Sequence, residues 1–135
     1  VLANGTSGLG ETMQICEEIR EWNYGDYEGI TTEDIHRTVP DWTVWTHGCP
    51  NGESVEEVQS RCERAIETAM NISRPGDVAL FAHGHILRAL AGTWLGLGAS
   101  SGQLFKLGTA SVSVLGWERK VPTISHWNAP TSDRF

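Results

Sequence analysis

The sequence predicts an α/β domain, and three stretches carry that prediction. An apolar run from Asp77 to Ala82 (DVALFA) is followed by a Gly-containing turn at His83-Gly84-His85, then by an apolar helix from about Ile86 to Leu95. Strand, tight turn and helix in that order form half of a β-α-β unit. Upstream, Ser54 opens an amphipathic helix. Downstream, Ser111 to Trp117 and Ile124 to Trp127 read as two strands joined by a turn near Arg119-Lys120, hence an antiparallel edge. At 135 residues, the chain has room for one ordinary domain over positions 1–135, and not for two.

Each element has a local reason. Residues 1–10 (VLANGTSGLG) are rich in Gly and small polar residues and read as a loop or a cut end. Gly5, Gly8 and Gly10 do not make a P-loop, because Glu11-Thr12 stand where Lys and Ser or Thr are needed. Met13 to Ile19 reads as a short strand, and Glu21 to Gly29 as an aromatic-rich loop that turns at its glycines. Thr31 to Arg37 reads as a short helix with Thr31 as N-cap and Asp34 as the reciprocal acid, ended by Pro40. Trp42 to Gly52 reads as irregular.

The helix after Ser54 is the clearest. Ser54 and Glu57 have capping-box spacing, and Val55, Val58, Cys62, Ile66 and Ala69 fall on one face. Asn71 to Gly76 stops it. DVALFA, bounded by Pro75-Gly76, has the continuous apolar character of a strand buried on both faces.

Composition excludes several function classes. Lys and Arg total 10 against 17 Asp and Glu, a formal net charge of −7. Such a surface repels nucleic acid and anionic membranes, though a locally basic pocket for a small anion remains compatible with it. No apolar run is long enough to span a bilayer, so no membrane partner is expected. Cys16, Cys49 and Cys62 are odd in number and not closely spaced, which suggests neither a disulfide framework nor a zinc site. Reduced thiols point to a cytoplasmic setting. Asn4-Gly5-Thr6 and Asn71-Ile72-Ser73 match a glycosylation triplet that arises often by chance. Six tryptophans supply apolar bulk that reads as core before it reads as interface.

The chemistry is expected beyond the end of DVALFA, because ligands of open α/β sheets collect at the carboxyl ends of strands. There Gly84 would let a ligand approach the backbone. The following helix would point free N–H groups and its positive dipole end at an anion, with Arg88 one turn inside. His83 reads either as a phosphate-binding imidazole or as a hydrogen-bonded core histidine. His83 and His85 as a metal pair lack a nearby third ligand, so neither metal nor cofactor is expected. Glu21, between Arg20 and Trp22, reads either as an acid whose pKa is raised by aromatic surroundings or as a surface residue.

Several motifs resemble one family when taken together. Glu21-Trp22-Asn23-Tyr24-Gly25-Asp26-Tyr27-Glu28-Gly29 resembles its segment with an acid followed four residues on by Gly, and seven and eight on by Glu-Gly. Phe81-Ala82-His83-Gly84-His85-Ile86-Leu87-Arg88 resembles the strand-to-helix segment bearing the second active-site histidine of the histidine phosphatase superfamily. Gly52-Glu53-Ser54 lies where that family begins its long helix. Thr109-Ala110-Ser111 and Trp127-Asn128 fit as well, so the likeness runs from about Ile15 to Asn128. The resemblance implies a three-layer phosphoglycerate-mutase-like sheet with helices on both faces. It is nearest to the sedoheptulose bisphosphatase and acid phosphatase branch.

What the resemblance implies is phosphomonoester hydrolysis of a small phosphorylated metabolite, such as a sugar phosphate or bisphosphate, through a phosphohistidine. Glu21 then matches the general acid and His83 the second histidine. Gly84 and Glu53 match pocket-lining positions. A phosphoglycerate mutase is the alternative within the family; a truncated, non-catalytic interaction domain is the alternative outside it. The departure is the attacking histidine. The histidines are His36, His47, His83, His85 and His126, and none lies in Arg-His-Gly. The family's second early arginine motif is also unmatched before Ile15. The expectation is an N-terminally incomplete piece of a longer sequence, inactive alone. A genuine truncated paralogue, or a rebuilt site in which His83 attacks, are the other readings. These motifs set no oligomeric state.

Overall fold

The computed structural model describes residues 13–72 and 76–131, so the loop expected at 1–10 lies outside the described residues. Among these, the helices are α1 (Thr32–His36), α2 (Val44–His47), α3 (Val55–Met70) and α4 (Gly84–Trp94), followed by strands β1 (Ser111–Glu118) and β2 (Val121–Pro130). Short 3₁₀ turns lie at Glu17–Ile19, Gly25–Tyr27 and Ala99–Leu104.

α3 begins at the expected capping box. Ser54 Oγ accepts from the Glu57 N–H at 3.1 Å, and Glu57 Oε2 accepts from the Ser54 N–H at 2.8 Å. Its inner face buries Val58, Cys62 and Ala65, with Val55 and Ile66 packed at the margin. Arg61 is buried on the same helix, which apolar periodicity does not foresee. α1 is capped by Thr31, whose Oγ1 accepts from the Asp34 N–H at 3.2 Å and donates to Asp34 Oδ2 at 2.8 Å. α4 ends in a left-handed glycine, Gly96 (φ 72°). The Leu97 N–H reaches the Gly92 carbonyl and the Gly96 N–H that of Thr93, a Schellman closure.

The hairpin forms where the turn was expected. Glu118 pairs with Val121 and Trp117 with Pro122, leaving Arg119-Lys120 as a two-residue turn with Arg119 at φ 59°. Between the pairs Val112–Ala129 and Val114–His126, Ser113 faces both Trp127 and Asn128, a bulge with Asn128 at φ 56°.

Three expectations need correction. Residues Met13 to Ile19 contain a 3₁₀ turn at Glu17–Ile19 rather than a strand. The stretch Trp42 to Gly52 is not wholly irregular, because α2 gives Trp45 a helical turn from which to enter the core. DVALFA is neither paired nor buried on both faces: Val78 is 42% and Phe81 60% exposed. A strand needs a hydrogen-bonded neighbour, and none of the described residues supplies one for 77–82. The sheet of the described residues is therefore the β1–β2 pair, beside a layer of helices.

The core sits between α2, α3, α4 and the loop that carries Trp22. Trp22 and Trp45 meet edge to face at 5.5 Å, and both are nearly fully buried. Trp22 Nε1–H donates to the Glu53 carbonyl at 3.1 Å, and Trp42 Nε1–H to that of Gly48 at 2.9 Å. Two loops then meet backbone to backbone. A Cβ on Gly25 would lie 2.2 Å from the Pro50 carbonyl oxygen, and one on Gly52 would lie 2.3 Å from that of Asn23. The contact is sealed by the Asp26 N–H to Pro50 and the Glu53 N–H to Asn23, both 2.9 Å.

Beneath this contact lies a buried ion pair. Arg61 donates from Nε to Glu53 Oε1 at 2.6 Å and from Nη2 to Glu53 Oε2 at 2.8 Å. Its Nη1 donates to the carbonyls of Glu18 (2.6 Å) and Arg20 (3.0 Å). Removing one partner of such a pair strands the other charge away from water. Arg61→Ala is expected to lower the unfolding free energy by about 3–5 kcal/mol, against about 1 kcal/mol for Ser54→Ala. Urea titration followed by far-UV circular dichroism measures both, and equal losses would contradict the bracing role of Arg61.

Candidate active site

The backbone that Arg61 grips at Glu18 and Arg20 delivers Glu21 to the start of α4. His83 is the N-cap of that helix but makes no side-chain cap of its own. Glu21 supplies it from a distance. Its Oε1 accepts from the Ile86 N–H at 3.0 Å and from its neighbour Trp22 N–H at 2.9 Å, while Oε2 accepts from the His85 N–H at 3.2 Å. The free donors of a helix N-terminus and its positive dipole end attract an anion. Here the protein's own carboxylate takes two of them, so the sequence reading was right about the donors and incomplete about their partner.

Glu21 and His83 line one cleft of about 350 Å³. Ala82, Gly84 and Leu87 complete its helix side, and residues Leu107 to Ser111 form the opposite wall. The His83 imidazole is exposed, and no hydrogen bond among the described residues engages it. A core histidine would be enclosed and partnered. Gly84 has neither a left-handed backbone nor a close neighbour, and a Cβ there would project into open space. What its missing side chain does is keep the cleft clear.

The opposite wall is held in shape by the hairpin. Asn128 Oδ1 accepts from the Gly108 N–H at 2.6 Å, and Ser111 Oγ donates to the Gly108 carbonyl at 2.7 Å. Ala110 has φ 54°, a left-handed conformation unusual for a residue with a side chain. The sequence marked 109–111 as a family pattern but gave no reason to place it across from His83.

Two residues expected near the phosphate stand elsewhere. Glu53 is outside the cleft, buried against Arg61, and accepts from the Asn23 N–H at 2.8 Å. Burial alone would raise its pKa, but the Arg61 hydrogen bonds, the Asn23 N–H and nearby positive charge hold it below the usual range. Arg88 also turns away. Its guanidinium donates to the carbonyls of Gly102 (3.0 Å) and Gln103 (3.3 Å) and stacks 4.7 Å from the Trp45 ring centroid. Among the described residues, the lining of the cleft contains no Lys or Arg.

His85 does not line the cleft that His83 lines. Its Nδ1 lies 2.6 Å from Tyr24 Oη, and its ring packs against Trp45. Burial lowers the His85 pKa, Glu21 opposes that shift and Arg88 reinforces it. Burial, with the Glu21 charge, pushes the Tyr24 hydroxyl up, so Tyr24 stays protonated as a donor. Tyr24 was legible only as part of an aromatic loop.

A family model described as "Histidine phosphatase superfamily (branch 1)" matches residues 3–130. The chain belongs to the histidine phosphatase superfamily. Among curated relatives, an acid phosphatase of Mycobacterium tuberculosis is 44% identical over 103 residues, covering 76% of this chain and 51% of that protein. A sedoheptulose 1,7-bisphosphatase of Saccharomyces cerevisiae is 38% identical over 100 residues, covering 62% of this chain and 36% of its own length. A solved structure of an open reading frame from Mycobacterium tuberculosis superposes with a TM-score of 0.78 at 41% identity, over 82% of this chain and 57% of that one. The chain thus spans about half the length of the first of these two curated relatives and about a third of the second. The expected superfamily, its acid phosphatase and sedoheptulose bisphosphatase branch, and the phosphoglycerate-mutase-like α/β fold all stand.

Two expectations follow for this histidine phosphatase chain. His85 should titrate below the ordinary histidine value of about 6.5, and Glu21→Gln should lower it further by removing a nearby negative charge. Two-dimensional NMR of the imidazole carbons reads both shifts; an upward shift in the variant would contradict the assigned contact. Stability should also fall on acidification. The unfolded chain binds protons at His85 and Glu53 more readily than the folded one, so their contributions are present above the unfolded pKa values. Each is lost as pH falls through the lowered folded value. Urea midpoints between neutral and acid pH check the sign.

Proposed function

We propose that this chain carries part of the active site of a phosphomonoester hydrolase acting on a small phosphorylated metabolite, of the sugar phosphate or bisphosphate class. The observation that carries the proposal is the meeting of Glu21 and His83, distant in sequence, in one cleft. Superfamily membership and the names of the acid phosphatase and the sedoheptulose 1,7-bisphosphatase support the reaction class. Unpaired Cys16, Cys49 and Cys62 suit a reducing, cytoplasmic setting.

In this reading Glu21 is the general acid. Oε1 accepts two N–H groups and Oε2 one, and the residue lines the cleft, where its carboxyl group can meet the leaving oxygen. The attacking nitrogen belongs to an Arg-His-Gly histidine that these 135 residues do not contain. It forms a P–N bond while the P–O bond to the leaving group breaks, and Glu21 hands its proton to that oxygen. A water then attacks phosphorus, Glu21 takes the water's proton, and the P–N bond breaks to release phosphate. His83 faces the transferring phosphoryl group and donates to its oxygens. Gly84 leaves room for it. Glu53 acts one step back, by holding the loop that carries Glu21.

The absence of Lys and Arg from the cleft lining among the described residues, together with the absence of an Arg-His-Gly motif from the sequence, supports a further part of the proposal. Residues 1–135 are one domain of this type whose nucleophile and phosphate-binding arginines lie outside this sequence. The run at 77–82, which packs Leu80 and Ala82 against the core but leaves Val78 and Phe81 exposed and is unpaired among the described residues, suits a missing neighbouring strand.

In a protein carrying the complete site, His83→Ala and Glu21→Gln are each expected to lower turnover at least about a hundredfold. Wild-type rates in both would remove the assigned roles. The 135-residue chain alone should neither hydrolyse p-nitrophenyl phosphate nor retain label from a radioactive phosphomonoester. Stoichiometric labelling of the chain would show that it holds its own nucleophile.

A further inference from the structure

The loop from Cys49 to Glu53 contains Asn51-Gly52, a pair with a chemistry of its own. Cys49, Pro50, Asn51 and Gly52 form a turn closed by the Gly52 N–H on the Cys49 carbonyl at 2.9 Å. Pro50 takes its second position and Asn51, at φ 54°, its third, which is the type II pattern. Asn51 is exposed, and its Nδ2 donates across to Asp26 Oδ2 at 2.9 Å. The Asp26 N–H in turn donates to the Pro50 carbonyl, and the Glu53 N–H to that of Asn23. Gly25 sits so close that a Cβ on it would collide with the backbone of Pro50, Asn51 and Gly52.

An asparagine followed by glycine can close on itself, because the glycine has no side chain to hinder the attack. The Gly52 nitrogen adds to the Asn51 side-chain carbonyl carbon. An N–C bond forms, the bond from that carbon to Nδ2 breaks, and the Gly52 amide proton leaves with Nδ2 as ammonia. Water then opens the cyclic imide at either of its carbonyls. The product is an aspartate in the ordinary backbone or an isoaspartyl link, which adds a methylene to the chain. Water is the sole co-reactant, and nothing is oxidised or reduced.

The folded loop opposes each part of this reaction. In a type II turn ψ of the third residue is near 0°, which leaves the Asn51 side chain about 120° around the Cα–C bond from the attacking nitrogen. The Gly52 proton is held by the Cys49 carbonyl, and the carboxamide under attack is held by Asp26. The product, once made, opposes the loop. An acid at position 51 sets a carboxylate where Asp26 now receives a hydrogen, and like charges so close repel. An isoaspartyl link adds length beside Gly52, whose packing on Asn23 leaves no room for one more carbon. We propose that Asn51 is a deamidation site that works as a one-way latch. The contact between residues 23–26 and 49–53 protects it while closed, and the modified residue then keeps that contact open. The first of these loops follows directly on Glu21 and Trp22, so an open latch also frees the chain that aims Glu21 at α4.

Trypsin releases residues 38–61 as one peptide, in which Asn51 is the only asparagine. The mass gain of that peptide on ageing at neutral pH, with the site assigned by fragmentation, gives the rate of reaction. The folded 135-residue chain should react at least about tenfold more slowly than the same chain in urea, because reaction waits on local opening. Asp26→Ala removes one hydrogen bond from an exposed pair and should raise the folded rate at least about threefold, with circular dichroism unchanged. Asn51→Asp supplies one of the two products directly. It should speed hydrogen exchange of the Asp26 and Glu53 amides, which bridge the loops, at least about fivefold. A folded chain that ages as fast as the unfolded one would overturn the proposal. So would a rate unmoved by Asp26→Ala, or unchanged exchange in Asn51→Asp.

Discussion

The guanidinium of Arg61 is the point through which the candidate site is assembled. It leaves α3 inside the protein and divides its donors between the Glu53 carboxylate and the carbonyls of Glu18 and Arg20. The first set ties down the loop that enters α3. The second sets the direction of the chain immediately before Glu21. Glu53 extends the hold by accepting from the Asn23 N–H with its side chain and from Trp22 Nε1 with its backbone. Charge burial on this scale costs much desolvation energy and contributes little net stability compared with an apolar replacement. Its use here is placement: Glu21 is an exact distance from α4 because the residues on both sides of it are held.

That placement makes α4 depend on a group far away in sequence. A helix that opens with Gly-His-Ile has no acceptor of its own at its first turn, and the carboxylate of Glu21 makes good the lack. The same contact leaves an imbalance. Among the described residues, the cleft lining carries a carboxylate and one histidine, with Arg88 committed to the Gly102 and Gln103 carbonyls. A phosphate group entering it meets negative charge first. Positive charge must therefore arrive from elsewhere for an anion to settle there.

Much of this was legible in the residues, and the gaps have physical causes. Capping at Ser54 and Thr31, the stripe on α3 and the turn at Arg119-Lys120 are short-range effects, read correctly from neighbours in the sequence. DVALFA misled because apolar composition is only one requirement of a strand, and the hydrogen-bonded neighbour is a tertiary fact. In the site, Glu21, His83 and Gly84 were found by motif and are brought together. Glu53 and Arg88 were found by the same logic but turn toward partners that no local spacing specifies. Tyr24 and the 107–111 wall went unassigned, since their relation to the cleft arises only when loops from opposite ends of the chain pack.

The mutual approach of Gly25 and Gly52 has a consequence for changing this protein by design or by descent. A Cβ on either residue would strike the other loop's backbone, which has no rotamer with which to yield. The loops at 23–26 and 49–53 therefore behave as a single inherited unit, although the chain separates them. Transplanting one from a relative without its counterpart brings mismatched backbones face to face. Moving both together preserves the fit, and with it the aim of Glu21, which stands just before the first loop.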